Sequence, residues 1–483
     1  MIGALVRLDA RLMCRSTAAC ILTLLLAVTA GLALASGLEW RDRYVSAADA
    51  AREQVAKDAT LLRDVYTGIE RGTVIPTDDS TYDGVGKYVP DPRDPYVAGY
   101  YHTLLAELEA GPLLGLATGS SELRATHHKL KTVPLYALLR IGEPAERVNP
   151  GALAAGRFDL LAFIMFLCPL ALAVLLFDAT AREREGGISP LLAGLGASQR
   201  ELLLARAVTR GGLVIGIAVI GSLIGIALAG AFGSAAGFWW ILGTIAYLLF
   251  WTALLLLVAS TGLSVVGSAA VAVALWVALL LVLPGLTERA LRPDGLLEPR
   301  ALADADVRRV LRVEGGPDAI AATIARVARE YWGVDFATAP ICAKRDGVID
   351  EYVRRRLADE RYAAAMRQGA AREALFDQRL DRWGWLAPGL AFRRAMEQVA
   401  GSDPARQRTF ELAVIDYHAA RRNQVTSAIL ECKRLDRAAF EAVRSFHFDE
   451  PTEQIALFTG IIALIGFAAL FAAAALRPRS LLR

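Results

Sequence analysis

The side chains best suited to chemistry here are five histidines and five cysteines, and their spacing limits what they can do. His127 and His128 are neighbours, so they do not converge as an i,i+4 pair on one helix face would. Neither they nor His102, His418 and His447 have a carboxylate cluster or cysteine at ligand spacing. They read as structural or surface histidines, and no metal site is expected. No nucleophile–base constellation is legible, and the chain lacks the G-x-x-x-x-G-K-[ST] loop that cradles nucleotide phosphates. It is therefore expected neither to hydrolyse ATP nor to bind a cofactor itself. The densest functional signal is Asp178 to Arg210, where Glu183 and Glu185 precede a glycine pair and Arg200, Arg206 and Arg210 follow.

The elements that position this stretch follow from composition. Hydrophobic residues make up 55% of 483 positions, above an ordinary soluble domain, while the charged share of 21% is close to a soluble average. Such a chain divides between lipid and water. A net charge of +3, with no dense basic stripe, gives no footprint for nucleic acid.

Six runs are long and apolar enough to cross about 30 Å of hydrocarbon. They are residues 18–38, 157–178, three crowded spans within 211–283, and 455–476. Leu34-Ala35-Ser36 imitates a signal-peptide cleavage site, but the run before it is longer than such peptides carry, so it reads as a retained span. Arg7, Arg11 and Arg15 then hold the start, residues 1–17, on the cytoplasmic side. Threading the remaining spans places the arginine-rich loop 179–210 and the tail 477–483, with Arg477, Arg479 and Arg483, on that same side. Both termini are expected in the cytoplasm of a bacterial inner-membrane protein. Two large extracytoplasmic domains, 39–156 and 284–454, are expected on the other face, where domain length makes translocation largely indifferent to charge.

The expected fold is thus an all-α polytopic membrane protein with two mainly helical external domains, the first with some β-structure. An alanine-rich helix, Val45 to Ile69, continues the first span outward. A loop with Pro76, Pro90, Pro92 and Pro95 follows, then a helix over Tyr100 to Glu109 and a strand over Thr132 to Leu139. The second domain carries helical patterns near Asp318–Tyr331, Val348–Gln368, Ala370–Trp383 and Asp403–His418. Cys342 and Cys432 alone share the oxidising compartment and form a candidate disulfide. In the third span Gly212/Gly216 and Gly221/Gly225 are small-xxx-small steps suited to close helix packing, most simply within one subunit.

The cytoplasmic loop has clear local punctuation. Gly186-Gly187 interrupts one helix, Ser189 caps a two-turn helix with Pro190 at its first position, and Gly196 ends it. Ser198 and Glu201 have capping-box spacing for the helix entering the third span. Two readings fit: a hairpin resting on lipid headgroups, or a lever that passes a partner's push to two spans.

The series Glu183-Arg-Glu185-Gly-Gly187, Leu191-Leu192, Ala197-Ser198 and Leu202-Leu203-Leu204-Ala-Arg206 resembles the cytoplasmic loop of ABC-2-type permeases. Ile188 and Gly196 stand where that family commonly has threonine and proline. The likeness extends through Asn149-Pro150, Gly156, Phe158-Asp159-Leu160, Pro169 and Gly111-Pro112-Leu113. Ala387-Pro388, Ala400-Gly401 and the segment around Phe410 and Tyr417 are similar to one subgroup, whose large external insertions include a domain of unknown function. The resemblance implies that Glu183, Glu185, Gly187, Leu191, Leu192, Ser198 and Arg206 form the surface docking on a separate ABC ATPase subunit, which binds ATP and Mg. It also implies a second permease subunit, identical or related, in contact with membrane lipids. The expected function is ATP-driven export or extraction of an envelope substrate. Mechanical relay of ATPase strokes to periplasmic partners is the alternative, and an enzyme anchored by its external domains is a third class that no motif favours.

Overall fold

A 14-residue amphipathic helix, α1 (Ile2–Arg15), precedes the longest element, α2 (Thr17–Glu70). The computed structural model describes residues 2–75, 91–122, 125–131, 157–196, 198–292, 348–443, 445–450 and 455–477, with scattered positions between 322 and 335. Ser16 starts α2, its hydroxyl accepting from the Ala19 N–H. At 1.5 Å per residue α2 is about 80 Å long, so its apolar part can cross a membrane while its alanine-rich part continues beyond it. Among the described residues five further helices are long and apolar enough to cross: α4 (Leu160–Glu185), α6 (Gln199–Leu228), α7 (Ala235–Ser260), α8 (Val265–Leu291) and α13 (Leu457–Ala475). The chain is a mostly helical polytopic membrane protein with little strand. All the spans but α13 run past the apolar stretches expected from the sequence, α6 beginning at Gln199 and α8 ending at Leu291.

Helices α7 and α4 form the buried centre, where Trp240, Tyr247, Trp251, Phe163 and Leu172 are almost wholly enclosed. By contrast α2, α8 and α13 turn Leu24, Leu32, Val266, Leu281, Ile462 and Leu470 outward, as helices facing lipid do. Pro169 lies within α4 and has no N–H, so the carbonyl four residues back, that of Met165, loses its helical donor. The helix widens into a π-turn over Phe163–Leu167. Tyr247 Oη on α7 donates to Met165 O at 2.9 Å, and Trp276 Nε1 on α8 donates to Phe166 O at 3.0 Å. A sequence-encoded break thus becomes a cross-link between three spans.

The segments following α2 and α8 fold against each other into one head. From the first come α3 (Pro95–Tyr101) and an antiparallel pair, β1 (Leu104–Glu107) and β2 (His127–Leu130), with Leu104 opposite Leu130 and Glu107 opposite His127. The second supplies α9 (Val348–Trp383), α10 (Pro388–Ala400), α11 (Pro404–Leu430) and α12 (Arg437–Glu441). Ala106, Leu108 and Leu130 share a core with Tyr362, Met366, Phe410 and Val414. Hydrogen bonds cross the joint: Arg421 Nη2 lies 2.9 Å from His102 Nδ1, Gln407 Nε2 donates to Ala125 O at 3.0 Å, and Leu435 N donates to Arg93 O at 2.8 Å.

Several expectations need correction here. The helix expected over Tyr100 to Glu109 gives way at Tyr101, and residues 104–107 are strand, because so short a segment, Leu104-Leu105-Ala106-Glu107, can satisfy either period and His127–Leu130 pairs with it. The patterns at Val348–Gln368 and Ala370–Trp383 are one helix running through Gly369, and α11 extends past His418 to Leu430. The strand expected over Thr132 to Leu139 lies outside the described residues, as does most of Asp318 to Tyr331.

Helix α10 was not anticipated, although Pro388 at its first turn and Gly401 past its end (φ 72°) are the usual punctuation. It packs among the spans. Phe392 stacks on Tyr247, midway along α7, with centroids 4.1 Å apart. A side chain at Gly460 of α13 would come within 2.9 Å of Ala391 O, so only glycine admits this approach.

Candidate functional site

At the bundle end opposite the head, the chain leaving α4 turns through Gly187 (φ 68°), makes the short helix α5 (Ser189–Gly194), turns again at Gly196 (φ 80°) and enters α6. Helix, break, short helix, break, helix is the order expected. The start of α5 differs in detail: its first hydrogen bond runs from Leu192 N–H to Ile188 O, which makes Ile188 the capping position in place of Ser189. The capping box on α6 is complete, with Ser198 Oγ accepting from Glu201 N at 3.2 Å and Glu201 Oε2 accepting from Ser198 N at 3.1 Å.

The outward face of this loop is apolar. Ile188 at the cap of α5, Leu191 within it and Leu195 just past its end, spaced i, i+3 and i+7, are 47%, 68% and 71% exposed, while Leu192 is half-buried. Its inward side is ionic. Arg206 pairs in bidentate fashion with Glu183, one bond 3.1 Å and the other shorter. Arg206 Nε stands 3.8 Å from Asp9 of α1. Arg210 reaches Asp9 Oδ1 at 3.1 Å, Asp178 Oδ1 at 3.1 Å and Leu175 O at 2.8 Å. Thr209 Oγ1 also donates to Asp9. At the base of the loop α1, α4 and α6 are thereby tied together by Arg206 and Arg210 with Asp9, Asp178 and Glu183, and Arg182 adds a third guanidinium at 3.0 Å from Asp178.

Of the residues picked out from sequence, Glu183, Arg206 and Ser198 fix the loop, and Leu191 offers its exposed face. Glu185 does something else. Its Oε1 accepts from Val265 N–H at 2.8 Å, holding the start of α8, and Arg184 beside it donates to Leu263 O. Asp9 escaped sequence reading altogether. Its one available signal was position: a lone acid among Arg7, Arg11 and Arg15 on an otherwise basic amphipathic helix.

The glycine steps separate. A side chain at Gly225 would come within 3.0 Å of Leu34 on α2 and 3.1 Å of Leu116, and one at Gly221 within 3.7 Å of Leu160, so this step packs inside the chain. Gly212 and Gly216 have open space beside them.

Among the described residues no three His, Cys, Asp or Glu side chains converge on a metal-sized site. His128 stacks on Phe410 (5.9 Å), and His418 Nε2 lies 3.0 Å from Lys131 O. His102, buried beside the Arg421 guanidinium, has its pKa pushed down to about 4, mainly by burial, and is neutral at physiological pH. Cys14, Cys20 and Cys168 are free thiols; Cys432 is disulfide-bonded, and Cys342 lies outside the described residues. A Cys342–Cys432 link is expected to appear as one joined peptide pair in non-reducing mass spectrometry of protein isolated without reductant. Its reduction is expected to cost about 2–4 kcal/mol of stability. Quantitative alkylation of both thiols before reduction would end that assignment.

No curated protein and no solved structure matches this chain. Residues 348–449, which hold α9 to α12, match a domain of unknown function, DUF3526. Residues 4–310, which include five of the six long apolar helices and the loop with its ionic cluster, match the family described as ABC-2 family transporter protein. Since that match covers more than half of its length, the chain belongs to the ABC-2 family of transporter proteins.

Proposed function

We propose that this chain is the permease subunit of an ATP-driven export system, and that the loop between α4 and α6 is where a separate ABC ATPase subunit docks. The observation carrying this reading is the exposed apolar face of Ile188, Leu191 and Leu195 backed by the buried Arg206–Glu183–Asp9 cluster. A partner pushing on α5 acts on a segment whose two flanking helices are tied to each other and to α1 at its base. ATP and Mg belong to the partner, and a second permease copy or relative completes the assembly, with Gly212 and Gly216 available for close approach. The test is copurification from native membranes: the tagged chain is expected to bring an ABC ATPase whose activity rises when the chain is present. Absence of any nucleotide-binding chain from the gently extracted complex overturns the reading.

Mechanical relay is the second reading, and α2 favours it. This one helix runs from the ionic cluster's end of the bundle into the head, where Tyr44 Oη donates to Leu108 O at 2.7 Å and Tyr66 Oη to Pro92 O at 2.7 Å. A stroke at the loop could move the head with no cargo passing between the spans. Both readings place the loop and both termini in the cytoplasm of a bacterial inner-membrane protein. Single-cysteine labelling of intact cells, on a cysteine-free background, is expected to reach positions 90 and 350 and to miss 190 and 480. External labelling of position 190 reverses the orientation.

A further inference from the structure

Where the head meets the first turns of α7 and α13, the chain forms a half-open cavity of about 720 Å³, within the size range of small-molecule sites. Its floor is apolar, made by Ala235, Ala236 and Trp239 of α7 and Leu457 of α13. Trp239 is held by Phe238 and Phe458, each ring edge-on at 5.3 Å. The wall is charged, with six carboxylates against three guanidiniums.

All three guanidiniums are already committed. Arg394 binds Asp377 at 3.1 Å and Asp381 at 2.7 Å, Arg408 binds Asp377 at 2.8 Å, and Arg406 binds Glu450 at 2.7 Å and Glu109 O at 3.0 Å. Asp403 is occupied by the start of α11, accepting from Arg406 N at 3.0 Å. Glu397 is different. Only 15% of its side chain is exposed, and the contact its carboxylate makes among the described residues is with Arg393 Nε, a full 4.0 Å away. Arg393 itself is drawn off to Glu288 at 2.7 Å. A mostly buried carboxylate whose cation stands no nearer than 4.0 Å, lining the same cavity as a fixed indole, suits one ligand chemistry: a positive charge on an apolar body.

We infer that this cavity binds an ammonium group carried by an amphiphile, with Glu397 as its counter-charge and Trp239 as its apolar wall. The excess of carboxylates disfavours anions, and the apolar floor beside two spans gives a hydrocarbon portion somewhere to lie. The same chemistry could come from a lipid headgroup or a free amphiphilic amine. Burial raises the Glu397 pKa to about 7; Asp159 and Asp403 push in the same direction, while Arg393 and Arg394 oppose. The carboxyl is therefore mostly neutral at pH 6 and mostly ionised at pH 8. A cation should bind about tenfold more tightly at the higher pH.

The test uses the full-length protein in nanodiscs, without ATPase or nucleotide, so its outcome is separate from that of the coupling proposal. Octyltrimethylammonium, below its micelle concentration, is titrated at pH 6 and pH 8, with octyl sulfate and 1-octanol as controls. Saturable binding of the cation alone is expected, weakened at least tenfold at pH 8 by Glu397→Gln, which also flattens the pH profile, and weakened by Trp239→Leu from a different element. Each variant is first checked for the parent's unfolding midpoint. Weaker apparent binding in phosphatidylcholine nanodiscs than in nanodiscs of an uncharged glycolipid identifies the lipid headgroup as an occupant; equal binding identifies the free amine. Equal uptake of octanol, or binding indifferent to both substitutions, overturns the inference.

Discussion

Replacing Arg206 with methionine is expected to cost about 3–5 kcal/mol of folding stability, the range for removing one member of a buried ion pair. Arg206 exposes 6% of its side chain and Glu183 20%, so water screens the pair poorly. Without the guanidinium, Glu183 loses both its hydrogen bonds and faces Asp9, whose remaining cation is Arg210 at 3.1 Å. The double variant Glu183→Gln, Arg206→Met removes the orphaned charge with its partner and should recover much of the loss. A non-additive cycle is therefore the signature. Reversible unfolding in mixed micelles reads both effects. A single variant within about 0.5 kcal/mol of the parent would place this cluster among surface pairs that contribute little.

What could be read from sequence divides along physical lines. The spans were legible because lipid imposes a length and a composition on each helix. The loop was legible because glycines at positive φ and a capping box act within three or four residues, as Gly187, Gly196 and Ser198 do. Everything depending on distant partners was hidden. Asp9 lies almost 200 positions from Arg206 and becomes a site residue only once α1 folds onto α6. Helix α10 carried its own start and stop signals, yet Arg393, Arg394 and Glu397 break the apolar run that marks a helix packed in a membrane bundle, to which its other side supplies Phe392 and Met396. Residues 104–107 could be helix or strand until β2 decided.

The separation of an ionic base from an apolar face also tells which loop residues can test coupling. Glu185 is unsuitable despite its place in the family-like motif, since reversing its charge would remove the acceptor for Val265 N–H and disturb the start of α8. Leu191, which is 68% exposed, can be changed without opening the core, and Leu192 beside it is half-buried. If α5 seats in an apolar groove of the ATPase, an aspartate at Leu191 must be buried there without a partner, at a cost of several kcal/mol. That corresponds to a loss of affinity well beyond tenfold. Leu191→Asp, alone or with Leu192→Asp, is therefore expected to leave insertion and cysteine labelling unchanged. Copurification of the ATPase should fall to background, and permease-dependent ATP hydrolysis in nanodiscs by more than tenfold. Normal binding and stimulation in both variants would leave α5 as a hairpin resting on lipid headgroups, with the push arriving elsewhere.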